Sequence, residues 1–323
     1  MKRLLSFIFL LAMLFTMTTV AGATEESIYT LARRTITVKE TIQDNGVVVS
    51  TYEHMDAFTQ AAKRQYPDLS DYELSQFLMD YMGMDSEGIP EEEALKLLTY
   101  DNLSLTSTYL KVNDEGIVEM TAEEMERQIQ IAPIASWTSE DGYMILDSGF
   151  TKLSTSGSTR RYSVWMRGVW KKYPATRLQD VLAIGTNASF DDSFAEKGYV
   201  HQTFKCGICG NETKRNRDVT ESSPKDGNLK IEYKNLLPLL RFNPTIPQCD
   251  ACEAGNVADS HFATYLCYGV VTSTDAVMQP SHAHKTLGAS NISVSIDSKG
   301  GVSFSVGLGS KITTYLARPV TLE

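Results

Sequence analysis

Cysteine is missing from the first 205 residues of this 323-residue chain, and all five cysteines fall between Cys206 and Cys267. The long N-terminal part must fold on an apolar core alone, which excludes a small scaffold stapled by disulfides. Cations are also in deficit. Lys and Arg number 30 against 40 Asp and Glu, a formal charge of −10. That balance argues against nucleic acid or anionic lipid as an electrostatic partner. No stretch after the first 20 residues is long and apolar enough to read as a membrane helix. G-x-S-x-G, H-E-x-x-H and Walker A sequences are absent, which removes the motif-marked esterases, zincins and P-loop enzymes.

The N-terminus carries an export signal in its sequence. Lys2 and Arg3 precede an apolar run from Leu4 to Met17, and Ala21-Gly22-Ala23 is a small-residue cleavage site. Residues 1–23 are therefore expected to be a signal peptide, with a secreted, extracellular mature protein starting near Thr24. Removing Lys2 and Arg3 shifts the charge from −10 to −12.

From residue 24 to about 130 the chain reads as a small helix-rich region. Ile28 to Val49 is rich in β-branched residues and carries an Asp44-Asn45-Gly46 turn, which predicts a hairpin. Asp56 can cap a helix that Pro67 stops. Ser70 and Glu73 have capping-box spacing ahead of Leu74, Phe77, Leu78, Tyr81 and Met82, with Gly83 placed to end that helix. Pro90 followed by three glutamates starts another. Asn113 to Gly116 resembles a calcium loop at first sight. Lys111 and Ala122 occupy positions where carboxylates are required, so the segment reads as a turn, with Thr121 and Glu124 capping a short helix.

Residues 131–323 read as an antiparallel β domain, reached through a linker near Gln128 to Thr138. Tyr143 to Leu153 and Tyr162 to Trp170 read as two paired strands, the second partly apolar on both faces, as inside a sandwich. Trp165 and Trp170 read as core. Val181 to Ile184 and Phe262 to Val271 are further strands, the latter burying Cys267. Ile292, Val294 and Ile296, then Val302, Phe304 and Val306, alternate with small polar residues around a Ser298 to Gly301 turn. This is the clearest hairpin in the chain. The fold class expected is α+β: a small helix-rich N-terminal region, then an antiparallel β-sandwich-like domain with a four-cysteine clip.

That clip is the candidate site. Cys206-Gly207-Ile208-Cys209 and Cys249-Asp250-Ala251-Cys252 are two C-x-x-C pairs, with 39 residues between Cys209 and Cys249. Such pairs hold either one tetrahedral ion, zinc first, or two crossed disulfides, and residues 206–252 form the excursion they pin. Gly210 suits a metal knuckle because the turn needs positive φ. The exported address favours disulfides instead. Asn211 to Arg217 shows no apolar face, so no thioredoxin-type helix follows the first pair. Gly210 also stands where a papain-like site has an aromatic residue.

The remaining signals are weaker. His282 and His284 would share one face of a strand and could ligate a metal with His261 or an acid, but the segment after Pro280 reads as a polar turn. Asp191-Asp192 reads as a solvated turn. Ser222-Ser223-Pro224-Lys225 matches S-x-x-K in a polar loop, without the helix that chemistry needs. The exported helix-then-β layout resembles that of many secreted bacterial proteins, a likeness that carries no activity. The functional expectation is an extracellular binding or interaction protein whose partner is a protein or glycan. The alternatives are a secreted hydrolase with an unmarked site, then a membrane-active β-hairpin protein, whose arms of about six residues fall short of spanning.

Overall fold

Ser27 begins the first element: its Oγ accepts the Thr30 N–H at 3.2 Å and caps helix α1 (Ile28–Thr35). The strand character expected from Ile28 onward therefore starts only at Thr37, because a cap plus Leu31 and Ala32 on one buried face favours helix. The computed structural model describes residues 27–84, 89–131, 141–174, 178–219, 229–234, 237–242, 249, 251–252 and 257–323. The leader at 1–23, residues 132–138 of the expected linker and the S-x-x-K segment at 222–225 lie outside these residues.

The expected hairpin is β1 (Thr37–Ile42) and β2 (Val48–Glu53), turned at Gly46 with φ +81°. Helix α2 (Met55–Gln65) follows. Its cap position belongs to His54, left-handed at φ +66°, while Asp56 lies in the first turn. Helix α3 (Asp71–Tyr81) has the full Ser70–Glu73 capping box, and α4 (Glu91–Lys96) starts after Pro90. Strands β3 (Asn102–Asn113) and β4 (Gly116–Met120) pair across the turn expected at Asn113 to Gly116. Thr121 and Glu124 exchange hydrogen bonds at the start of α5 (Ala122–Ile131), which takes in the first residues of the expected linker.

Strands then dominate: β5 (Gly142–Ser156), β6 (Thr159–Lys172), β7 (Gln179–Thr186), β8 (Ser189–Phe190), β9 (Lys197–Cys206) and β10 (Glu212–Val219). They continue as β11 (Leu229–Lys234), β12 (Leu237–Phe242), β13 (Val257–Thr272) and β14 (Ala276–Leu287). The chain closes with β15 (Ser293–Ile296), β16 (Val302–Ser305), β17 (Lys311–Leu316) and β18 (Val320–Leu322). The large sheet runs β1-β2-β3-β5-β6-β13-β9-β10, with β4 on β3 and β8 on β13. The small sheet runs β11-β12-β7-β14-β17, with β18 on β14.

The alternation along β6 sets the layering. Val164, Met166 and Trp170 pack with Leu182, Ile184 and Leu240 of the small sheet. Trp165 points the other way and packs with Tyr199, Tyr265 and helix residues such as Phe58, Leu74 and Leu78. Both tryptophans are therefore core, and the large sheet is covered by helices on one face and by the small sheet on the other. The β15–β16 hairpin adds its apolar residues Ile292, Val294, Ile296 and Val302 to the sandwich core. Its turn sits directly on Gly185 of β7, where any Cβ would collide with the Gly300 carbonyl oxygen.

One ion pair is sealed into the large sheet on the face that carries Trp165. Arg167 of β6 donates from Nε, at 3.1 Å, and from Nη2 to Asp147 Oδ2 of β5. The two residues are register partners across the strands, so their pairing follows from the sheet itself.

Candidate metal centre

Strand β9 delivers Cys206 to its last position, and the turn that leads into β10 carries Cys209. The Gly210 N–H donates to Cys206 O and the Cys206 N–H donates to Asn211 O, each at 2.9 Å. Gly210 adopts φ +73°, which an L side chain accepts only with strain. The Ile208 N–H points at Cys206 Sγ from 3.4 Å. The second turn, holding Cys249 and Cys252, lies just upstream of β13. The first residue of β13, Val257, pairs with Cys206 on β9. The ladder between β9 and β13 thus brings the two turns together.

The four Sγ atoms lie within 4.8 Å of one another. Cys206 Sγ stands 3.6 Å from Cys252 Sγ, and Cys209 Sγ stands 3.5 Å from Cys249 Sγ. A disulfide would bring sulfurs to ~2.05 Å. Donors placed ~2.3 Å from one central ion in a tetrahedron stand ~3.8 Å apart. The spacing is that of a tetrathiolate shell, so the four cysteines fit a metal ion as they stand. Cys206 and Cys249 are buried, whereas Cys209 and Cys252 are exposed.

Backbone amides prepare the buried sulfurs for negative charge. The N–H groups of Cys209 and Ile208 bring the Cys206 thiol down to about 6. The Ala251 and Cys252 N–H groups lower Cys249 as well. At Cys209 the Asn211 N–H also acts to lower the pKa, but its contact with Cys249 and the loss of solvent outweigh it, and the thiol rises. Thiolate is the form that binds metal, so the turns favour ligation at the two sulfurs least open to water.

Cys267 stands apart. It is buried on β13 against the helices, 3.3 Å from Ser163 Oγ, and burial pushes its thiol up to about 11. It is a core residue, as its apolar strand implied.

No protein-family model and no curated protein matches the chain.

The histidines depart from expectation. His282 and His284 lie on β14 with no solvent exposure, not in a polar turn. Both stand on the same sheet face as Asp180 of β7, the register partner of His284. His284 Nδ1 lies 2.6 Å from Asp180 Oδ1, His282 Nε2 lies 3.5 Å from it, and the Tyr173 hydroxyl donates to Oδ2. Burial alone would raise the Asp180 carboxyl; the charge and hydrogen bonds of His284 and His282 outweigh it and hold the group well below the usual range. Trp170 packs edge-on against both imidazoles. Only the cysteines, among the described residues, gather into a group of metal-ligand atoms within 4.8 Å, so this cluster reads as a buried charge network. His261 belongs to β13, in the other sheet.

Asp191 also departs from the solvated turn expected of it. It is buried and accepts from Ser193 N at 3.1 Å and Ser193 Oγ at 2.6 Å, whereas Asp192 is exposed. The polar segment after Cys209 is a strand, β10, at the edge of the large sheet, where one paired neighbour suffices and a polar sequence is tolerated.

Proposed function

We propose that the chain is an exported, extracellular binding protein whose two cysteine turns are closed by one structural zinc ion. The metal half rests on the spacing of the four sulfurs: they fit one tetrahedral shell and stand too far apart for S–S bonds. Soft thiolate ligands in a four-sulfur set select zinc among common divalent ions. Four protein ligands complete the shell and leave no position for water or substrate, so the ion's work is to hold the chain together.

The binding half is supported by the export signal in the sequence and by where the acid–base groups lie. Asp180 and His284 are arranged like a base with its orienting acid, yet both are fully buried and no substrate meets them. The partner proposed for the chain is an extracellular protein or glycan.

Elemental analysis with thiol counting on the exported protein tests the metal half. The expected result is about one zinc per chain, with the four thiols of the turns appearing only after chelation. Metal-free protein with a single titratable thiol would establish two disulfides and a lone Cys267 instead. Turnover of generic glycan, ester or peptide substrates, lost on a point change, would overturn the binding half in favour of a secreted hydrolase.

A further inference from the structure

Where the large and small sheets part at one end of the sandwich, they leave a cleft of about 230 Å³. Its floor belongs to the large sheet. Thr106 and Thr108 of β3 stand in register with Ser148 and Leu146 of β5. The opposite wall comes from the small sheet, with Pro280 of β14 and Val320 of β18 lining it. Leu146 and Val320 line the interior, and Thr106 Oγ1 is buried there with no hydrogen-bond partner among the described residues.

The rim carries one charge of each sign. Glu119 of β4 and Arg318, between β17 and β18, both line the cleft and both are exposed. Each is engaged by a different group: the Tyr315 hydroxyl donates to Glu119 Oε1 at 2.8 Å, and Arg318 Nη1 donates to Asn45 O at 2.8 Å. Those contacts fix both heads in place. Among the described residues, no further hydrogen bond engages Glu119 Oε2 or the other guanidinium N–H groups of Arg318. Glu119, Arg318 and Tyr315 all line this one cleft, so the two charges share its mouth.

A ligand that satisfies this mouth carries a cation and an anion a few atoms apart on a small apolar body. We propose that the cleft binds a free α-amino acid with a small apolar side chain. Its ammonium meets Glu119, its carboxylate meets Arg318, and its side chain enters between Leu146 and Val320. The volume supports a ligand of this size, since pockets for drug-sized molecules span roughly 300–1,000 Å³. A monosaccharide matches the threonine hydroxyls but leaves both rim charges without a counter-charge. This inference rests on the reading of the chain as a binding protein and adds a small-molecule site to it, separate from any protein or glycan partner; it does not involve the cysteine centre.

The test is calorimetric titration of the intact mature protein with L-valine, isobutylamine, 3-methylbutanoate, glucose and L-valine amide. L-valine is expected to bind. The amine and the acid, each lacking one charge, should bind roughly tenfold or more weakly, the loss expected for a charge-assisted hydrogen bond. Arg318→Gln should weaken L-valine by a similar factor while leaving isobutylamine unchanged, and Glu119→Gln should do the reverse with 3-methylbutanoate. No affinity for L-valine, equal affinity for the singly charged analogues, or a preference for glucose would overturn the inference and leave the binding reading standing. Hydrolysis of L-valine amide would instead overturn the binding reading itself.

Discussion

His284 Nδ1 and Asp180 Oδ1 stand 2.6 Å apart across β14 and β7, in register and out of reach of water. The folded protein depresses the Asp180 pKa below its unfolded value. A depressed carboxyl stabilises the fold fully above the unfolded pKa of about 3.9, and that contribution is lost as pH falls through the lower, folded value. Urea midpoints of the native chain should therefore drop steeply below about pH 4. Asp180→Asn should be less stable at neutral pH by about 3–5 kcal/mol, because it leaves buried donors without their anion, and its decline in acid should be shallower.

Arg167 and Asp147 make a second sealed pair. Arg167→Met alone should cost about 3–5 kcal/mol by leaving the Asp147 carboxylate buried and unpaired. Arg167→Met with Asp147→Leu should recover most of that loss, since an apolar pair of similar volume carries no desolvation penalty. Chemical denaturation of the three proteins checks this as a double-mutant cycle.

The hairpin turn over Gly185 gives a steric prediction. Gly185→Ala should destabilise by about 1–3 kcal/mol through overpacking, because the new methyl group meets the Gly300 carbonyl and Val302. Gly157→Ala, at a φ of +62° in open space, should cost only about 1–2 kcal/mol of backbone strain. Thermal melts of the two variants should rank in that order or overlap. A milder effect at Gly185 than at Gly157 would count against the packing described.

On the proposed metal reading, removing the ion, or replacing Cys206 by Ser, should open a loop with 39 residues between Cys209 and Cys249. The chain-entropy value of a cross-link over such a loop is about 4 kcal/mol, an upper guide to the loss of stability. If the proposed zinc is bound, peroxide treatment should release it. Each pair of thiolates takes up one peroxide and two protons and yields one disulfide and two waters. The sulfur contacts favour Cys206–Cys252 and Cys209–Cys249, and peptide mapping by mass spectrometry reads the pairing.

Local signals were legible in the sequence. The Ser70–Glu73 capping box, the β15–β16 hairpin and the two C-x-x-C turns each depend on residues a few positions apart, and each stands where its spacing placed it. The misread segments depend on partners far along the chain. His282 and His284 look like turn residues because the acid that justifies burying them is 104 residues upstream of His284. Asn211 to Arg217 carries no apolar face, since an edge strand needs backbone partners on one side only. Ile28 to Thr35 is β-branched enough to suggest a strand, yet a serine cap and packing against the sheet make it helical. Tyr173 sits in a Lys-Lys-Tyr-Pro stretch that breaks a strand, and nothing near it announces the contact with Asp180.

The cysteine centre also sits at a crossing point. From Cys209 the chain forms β10 at the edge of the large sheet, moves to the small sheet as β11 and β12, and returns to the large sheet as β13. Departure and return meet at the four sulfurs. Until they close, β7 has no assured neighbour on its β12 side, and an uncovered strand edge invites pairing between chains. Supply of the closing agent would then act as a checkpoint on assembly, deciding whether newly made chains fold singly or aggregate along β7.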